Sequence, residues 1–278
     1  MKFTDLFADF GDFSKYVDGL TADTTYDQLT ASINTVGMDI IKIITADAYI
    51  AIAESEDDCK ELLKTAMAAG TMLKYQIFNS VKKNGSEASM YKYQHEELKE
   101  HYASAYWKAM DSLLDWLDAN PETGGYSDTL EYRDRQQLPV KSASEFNRYY
   151  GIDNSALFFS KVLFLLRHCW YGKIKTMVGA HQDDETIMEH AKTALCYMTM
   201  AKAVMQFDAT ELPRSIRWDF NHEYTRGSQM QDRDRLYREL NAQAEAELSS
   251  LQNLIKLATS DAIRHNQNKE DNKFYSTL

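Results

Sequence analysis

The chain writes one helical segment twice. "KTAMAAGTMLK" at residues 64–74 returns as "KTALCYMTMAK" at residues 192–202, with six of eleven positions identical: Lys64/Lys192, Thr65/Thr193, Ala66/Ala194, Thr71/Thr199, Met72/Met200 and Lys74/Lys202. The two copies stand at an offset of 192 − 64 = 128. Three further matches fall in the same order. Phe13–Tyr16 ("FSKY") pairs with Phe146–Tyr149 ("FNRY") at an offset of 133, Glu56–Asp58 with Gln182–Asp184 at 126, and Tyr93–Glu96 ("YQHE") with Phe220–Glu223 ("FNHE") at 127. Collinear matches with small drifts define a duplicated module, with the drifts assigned to loops. A fold that fits this chain therefore has to be built twice.

The repeat unit reads as helical. Only three prolines and eleven glycines occur among 278 residues, which favours long helices over a many-turned β fold. Each repeat opens with a short aromatic segment, Asp12–Val17 and Ser142–Tyr150, the second with a capping-box start at Ser142 and Glu145. An apolar helix follows, about Thr25–Ile52 and Ser155–Met177, with breaks expected near Gly37 and Gly172. The matched helices come next, about Asp57–Asn79 and Glu185–Phe207.

A short β element is then expected in each repeat. In the first, Asn84-Gly85 is a hairpin dipeptide before "SMYKYQ". In the second, Ile216, Trp218 and Phe220 alternate with polar residues. Each repeat closes on a long amphipathic helix, carried by Leu98, Tyr102, Ala105, Ala109, Leu113 and Trp116, and by Leu236, Leu240, Ala244, Leu248, Leu251, Ile255 and Ala258. The fold class is mainly α: two related helical modules at 1–119 and 141–264, each with a short strand or hairpin before its long last helix. A connector at 120–140 holds Gly124-Gly125 and two of the prolines, and a polar tail occupies 265–278.

Composition narrows the function classes. At 44% hydrophobic and 12% aromatic residues the chain buries a sizeable core. Its net charge of −11 argues against an outer surface built to wrap nucleic acid, because that affinity comes mainly from Lys and Arg displacing counterions, and no sequence-specific nucleic-acid partner is expected. Cys59, Cys169 and Cys196 are odd in number and far apart, without metal or disulfide spacing. "MKFTDLFADFGDF" carries three aspartates where a signal peptide needs an apolar run, and the stretch from Ala156 is too short to span a bilayer. Cytoplasmic residence without membrane contact is expected.

Several constellations invite chemistry. In "HEELKEH" the histidines His95 and His101 stand six apart, where a zinc helix needs four so that both imidazoles meet one ion. His95-Glu96 and His222-Glu223 recur between the repeats and are the positions to inspect as paired acid–base groups, though helix starts also recruit such residues for capping. "HQDDE" at His181–Glu185 resembles a carboxylate cluster but suits an N-cap. Met67, Met72, Met188, Met198, Met200 and Met205 read as core filler. Arginines 214, 217, 226, 233, 235 and 238 interleave with Asp and Glu, which fits a solvated or inter-subunit salt-bridged surface better than a nucleic-acid patch. No Gly-rich phosphate loop, G-x-S-x-G or Cys–His spacing appears, so no catalytic residue, metal ligand or cofactor is assigned.

The layout resembles the head–tail connector (adaptor) proteins of tailed phages and prophages. The resembling residues are "FSKYV" with "LTASINTVGMDIIKIIT", "KSASEFNRYYGIDNSALFFSKVLFLL" from Lys141, and "ELKEHYASAYWKAMDSLLDWL", over about residues 10–260. The better-known adaptors carry one module where this chain has two. The resemblance implies a mechanical, non-enzymatic function: self-association into a ring at the portal, contacts with portal and tail proteins, and residence in the virion once assembled. An acidic ring would let DNA slide past without sticking. A ring also needs a heterologous interface, for which Trp107 and Trp116 on the first long helix are candidates. The other readings are a cytoplasmic helical scaffold and an enzyme or ligand binder using a cleft between the modules.

Overall fold

The computed structural model describes residues 2–18, 20, 24–82, 91–217 and 226–267, with side chains for these outside 77–82, 91–96, 217, 226–230 and 261–267. The chain divides into two compact units, Met1–Arg133 and Asp134–Leu278.

In the first unit a 3₁₀ turn at Phe3–Leu6 precedes α1 (Phe10–Ser14), α2 (Tyr26–Ile44), α3 (Ala46–Glu54), α4 (Asp58–Lys82) and α5 (Tyr91–Ala119). The core face of α2 is set by spacing: Leu29, Ile33, Val36, Ile40 and Ile44 recur at three- and four-residue steps and all are buried. Helix α4 packs between α2 and α5, contributing Leu63, Ala66 and Met67, with Met110, Leu113 and Leu117 opposite on α5. The break after α2 falls at Thr45, not at Gly37. Gly37 lies inside α2, where the Phe3 ring sits so close that an added Cβ would be 2.3 Å from it. A second 3₁₀ segment, Thr123–Asp128, packs on α3; an added Cβ at Gly124 (φ 54°) would lie 2.4 Å from the Ala48 backbone. The start of the expected connector is therefore part of the first unit's core, with Tyr126 buried.

Helix α6 (Leu130–Gln136) carries the chain into the second unit, where Leu138 and Val140 are buried. There follow α7 (Ala143–Tyr149), α8 (Ala156–Cys169), a π turn (Trp170–Ile174), α9 (Lys175–Val178), α10 (Glu185–Gln206), a 3₁₀ turn at Ala209–Glu211, α11 (Arg214–Arg217) and α12 (Arg226–Gln267). Helix α10 packs between α8 and α12, and Leu240, Ala244, Leu248 and Leu251 form the buried stripe of α12. His190 and Glu247, 2.7 Å apart, add a polar tie between α10 and α12.

The expectation of β elements is not met among the described residues. Among the described residues there is no strand: Tyr91–Gln94 open α5, and Arg214–Arg217 make a helical turn after Pro213. Asn84-Gly85 and Trp218–Phe220 lie outside the described residues. Two or three alternating residues fit one turn of helix as well as a strand, and the long helix continuing from Tyr91 decides between them. Among the described residues every regular element is helical.

Gly172 likewise does not break its helix. It lies in the π turn, which carries α8 into α9 without interruption.

Candidate functional site

The most ordered polar geometry in each unit is a clasp holding the short opening helix onto the bundle. Helix α1 starts at Asp9, whose carboxylate accepts the Asp12 N–H at 2.8 Å, and α7 starts at Ser142, whose hydroxyl accepts the Glu145 N–H at 3.1 Å. Asp12 and Glu145 hold the same N3 position, where a carboxylate suits the positive end of the helix. Each then reaches back to a backbone N–H four residues earlier, Ala8 at 3.2 Å and Lys141 at 2.9 Å.

The same carboxylates receive the repeated lysines. Lys64 donates to Asp12 at 3.0 Å, and Lys192 to Glu145 at 2.8 Å. One turn before each lysine stands a glutamate that accepts from the tyrosine closing the opening segment: Tyr16 to Glu61 at 2.6 Å, and Tyr149 to Glu189 at 2.9 Å. Beneath each clasp a phenylalanine, Phe13 or Phe146, is fully buried. Carboxylate, phenylalanine and tyrosine each recur at the offset of 133, glutamate and lysine at that of 128. The clasp is a duplicated object.

Its electrostatics fit a tether. The Lys64 ammonium holds the Asp12 carboxyl below its ordinary value. Burial pulls the Lys64 ammonium down, but the Asp12 hydrogen bond and its neighbours outweigh this and leave it raised. Burial, aided by the hydrogen bonds to Glu61 and Glu189, raises the Tyr16 and Tyr149 hydroxyls. Acid and base are thus driven apart, so at neutral pH the pair stays ionised and the tyrosines stay protonated. A general acid or base needs a value near the working pH. The clasp holds structure.

His95 and Glu96 lie on α5 with their side chains outside the described residues; His222 and Glu223 lie outside them altogether. Trp107 and Trp116 are half-buried on α5. His101 is exposed and sits edge-on to Tyr102, with ring centroids 5.8 Å apart. Asp184 in "HQDDE" is the N-cap of α10, accepting the Ile187 N–H at 3.0 Å. Among the described residues no three His, Cys, Asp or Glu side chains converge as a metal site would need. All three cysteines are buried, and burial pushes the Cys169 and Cys196 thiols up. Of the arginines in 214–238, Arg233 donates to the Phe207 carbonyl, Arg238 to the Asp234 carbonyl at 3.2 Å, and Arg235 lies 3.9 Å from Asp232 and from Glu239.

The glutamates of the clasp were within reach of the sequence. Carrying the repeat three residues towards the N-terminus turns "KTA" into E-x-x-K-T-A in both copies, Glu61 and Glu189. The partnership of Asp12 with Glu145 was harder to find, because the two differ in type and sit in segments with a different offset.

Fold and clasp together define a two-unit, all-helical protein whose repeats share one internal tether. The chain belongs to a family of unknown function, DUF6712, which matches residues 19–136 and 168–272. The two matched segments are compatible with the duplicated module. No curated protein and no solved structure matches it. Among the described residues no helix is long and apolar enough to cross a membrane.

Proposed function

We propose that this protein is a non-enzymatic assembly component resembling a phage head–tail connector, which packs into a ring at the portal and meets portal and tail proteins. The observation that carries the reading is the use made of the repeated polar residues. Carboxylate, lysine, tyrosine and glutamate of both clasps hold short helices to bundles, which serves a part that must be rigid. The closing helix adds support. At 42 residues α12 is about 63 Å long, roughly 30 Å longer than the 22-residue α10 it packs on, so it has length to offer a neighbour.

The test is solution mass by light scattering across a wide concentration range. A climb towards a closed ring is the expected result. A chain that stays monomeric throughout would remove self-assembly, and the ring with it.

A further inference from the structure

The two repeats fill one buried position of their first long helix by different means. From residue 31 to 38 on α2 and from 164 to 171 on α8 the order of exposed and buried residues is identical at an offset of 133. After the π turn the match resumes at 134, with Ile40 and Ile44 answered by Ile174 and Val178. A π turn is how a helix absorbs one additional residue, here Gly172, without losing its core face. At the offset of 133 Gly37 is answered by Trp170, whose side chain is buried at 3% exposure. In the first repeat the bulk comes from outside the helix, because the Phe3 ring takes the space that a Cβ on Gly37 would need.

The clasps fix the register of the segments that lead into them. Ala8 and Lys141 donate the matching N–H groups, so Phe7 answers Val140, and both are buried. Before that pair the repeats part. Leu6 is answered by Pro139, and Phe3 by Gln136, which is exposed. One repeat therefore has its aromatic on the leading segment and glycine on the helix, and the other has a polar residue on the leading segment and its aromatic on the helix. The Phe3–Leu6 turn is a strap set into a socket that only the first repeat possesses. Side chains three apart eclipse in a 3₁₀ turn, which puts Phe3 and Leu6 on one face, and both are buried. The Phe3 ring lies edge-on to Tyr49 with centroids 5.4 Å apart, and Tyr26 donates to the Thr4 carbonyl at 2.9 Å. The Tyr49 hydroxyl is buried with no hydrogen-bond partner among the described residues, so the seated strap leaves one polar group beside it unsatisfied.

We propose that the socket at Gly37 and Tyr49 is a docking site for a Phe-x-x-Leu turn, filled in trans by a second copy of this chain, the Phe3–Leu6 strap of one molecule entering the socket of the next. The occupant follows from the one already seated: the strap is the socket's complement, and every copy carries one of each. Phe7 packs edge-on against Phe13 and stays with the clasp, so only the strap has to move. Exchange replaces each contact with an identical one, which makes it a low-cost route to association, and a strap meeting a socket is a contact between unlike faces that runs head to tail. The inference rests on the assembly reading above and adds the contact that carries it.

The test uses the full chain. Gly37→Trp fills the socket from the helix, with the residue the second repeat has there, and leaves a free strap. Phe3→Ser leaves a free socket, and circular dichroism checks both folds. Each variant alone should self-associate at least about tenfold more weakly than the wild type. An equimolar mixture should give a pair of twice the chain mass, because only the mixture holds both a free strap and a free socket. A labelled peptide of residues 1–8 gives a second measurement that needs no Gly37→Trp chain: it should bind the Phe3→Ser chain, and the same peptide carrying Phe3→Ser should not. A peptide that does not bind would overturn the socket, and a mixture that stays monomeric would overturn its filling by a second copy. Variants that assemble as the wild type does would overturn the exchange and leave the assembly reading intact. The mixture and the peptide decide the socket, whereas a monomeric wild type overturns the assembly reading, so the two fail separately.

Discussion

At the clasp, one lysine decides how an opening helix is held. The Lys64 and Asp12 side chains keep only 12% and 13% of their exposure, against 22% and 23% for Lys192 and Glu145. Removing either lysine leaves a carboxylate half out of water, and the loss should be larger where the solvent is further away. Lys64→Met should cost about 1 kcal/mol of unfolding free energy, and Lys192→Met less, by urea denaturation. A double-mutant cycle with Asp12→Asn should return most of the Lys64 loss as coupling. The pH dependence follows from the same pair. Because the Asp12 carboxyl is depressed in the folded chain, its contribution is present above the unfolded value of about 3.9 and is lost as pH falls through the lower folded value. Lys64 and Tyr16 are raised, so theirs is present below an unfolded value of about 10 and lost as pH rises through the folded ones. Asp12→Asn should flatten the acid limb of stability against pH; an unchanged limb would assign it to other carboxylates.

The helices differ most between repeats where the chain turns. Thr45, which ends α2, has φ 76° and ψ 159°, a region that favours glycine, and its counterpart at the offset of 134 is Gly179 with φ 56°. Thr45 also caps α3 through its hydroxyl, which accepts the Ala48 N–H at 3.3 Å. Losing such a cap to glycine costs a few tenths of a kcal/mol, whereas the strain costs about 1–3 kcal/mol. Thr45→Gly should therefore raise stability by about 1 kcal/mol, and Gly179→Thr should lower it; a loss on Thr45→Gly in thermal melts would mean the cap dominates. Deleting Gly172 makes a sharper test of the π turn. The register then equals that of α2, so Ile174 and Val178 keep their core places and a residue of poor helix propensity is gone. The deletion should leave the melting temperature unchanged or raised, while inserting an alanine after Leu166 should lower it by turning Cys169 about 100° from the core. The repeat offsets showed that residues had been gained and lost, but the sequence alone assigns every drift to a loop. One drift lies inside a helix, because a single extra residue can widen a turn as readily as lengthen a connection. The β expectation failed for a related reason: Ile216, Trp218 and Phe220 alternate over too short a span for period two to stand apart from one helical turn.

For the whole molecule, the duplication predicts two cores rather than one. Buried residues of the first unit, from Phe3 and Phe13 to Leu117 and Tyr126, are drawn from the opening 3₁₀ turn to the Thr123–Asp128 turn; those of the second, from Leu138 and Phe146 to Leu251, are drawn from after α6 to α12. Each set contains its own clasp, its own amphipathic first helix and its own long closing helix. The units, Met1–Arg133 and Asp134–Leu278, both exceed the size below which a single core fails to offset the entropy of the chain. That both repeats exist was legible from residues 64–74 and 192–202. Where one unit ends was not, because Gly124, one of the two glycines that mark 120–140 as a connector, packs against α3, and the boundary falls at Arg133 inside a helix. Cutting at that boundary should therefore separate two folding units, whereas cutting at residue 119 should remove Tyr126 and the turn that covers α3. Chains 1–133 and 134–278 made separately should each show cooperative, two-state melting with helical circular dichroism, and 1–119 should melt earlier than 1–133. Lys64→Met should then shift only the first fragment and Lys192→Met only the second. If neither fragment melts cooperatively, the two cores are not independent, and the repeats stabilise each other rather than standing as units that evolution joined.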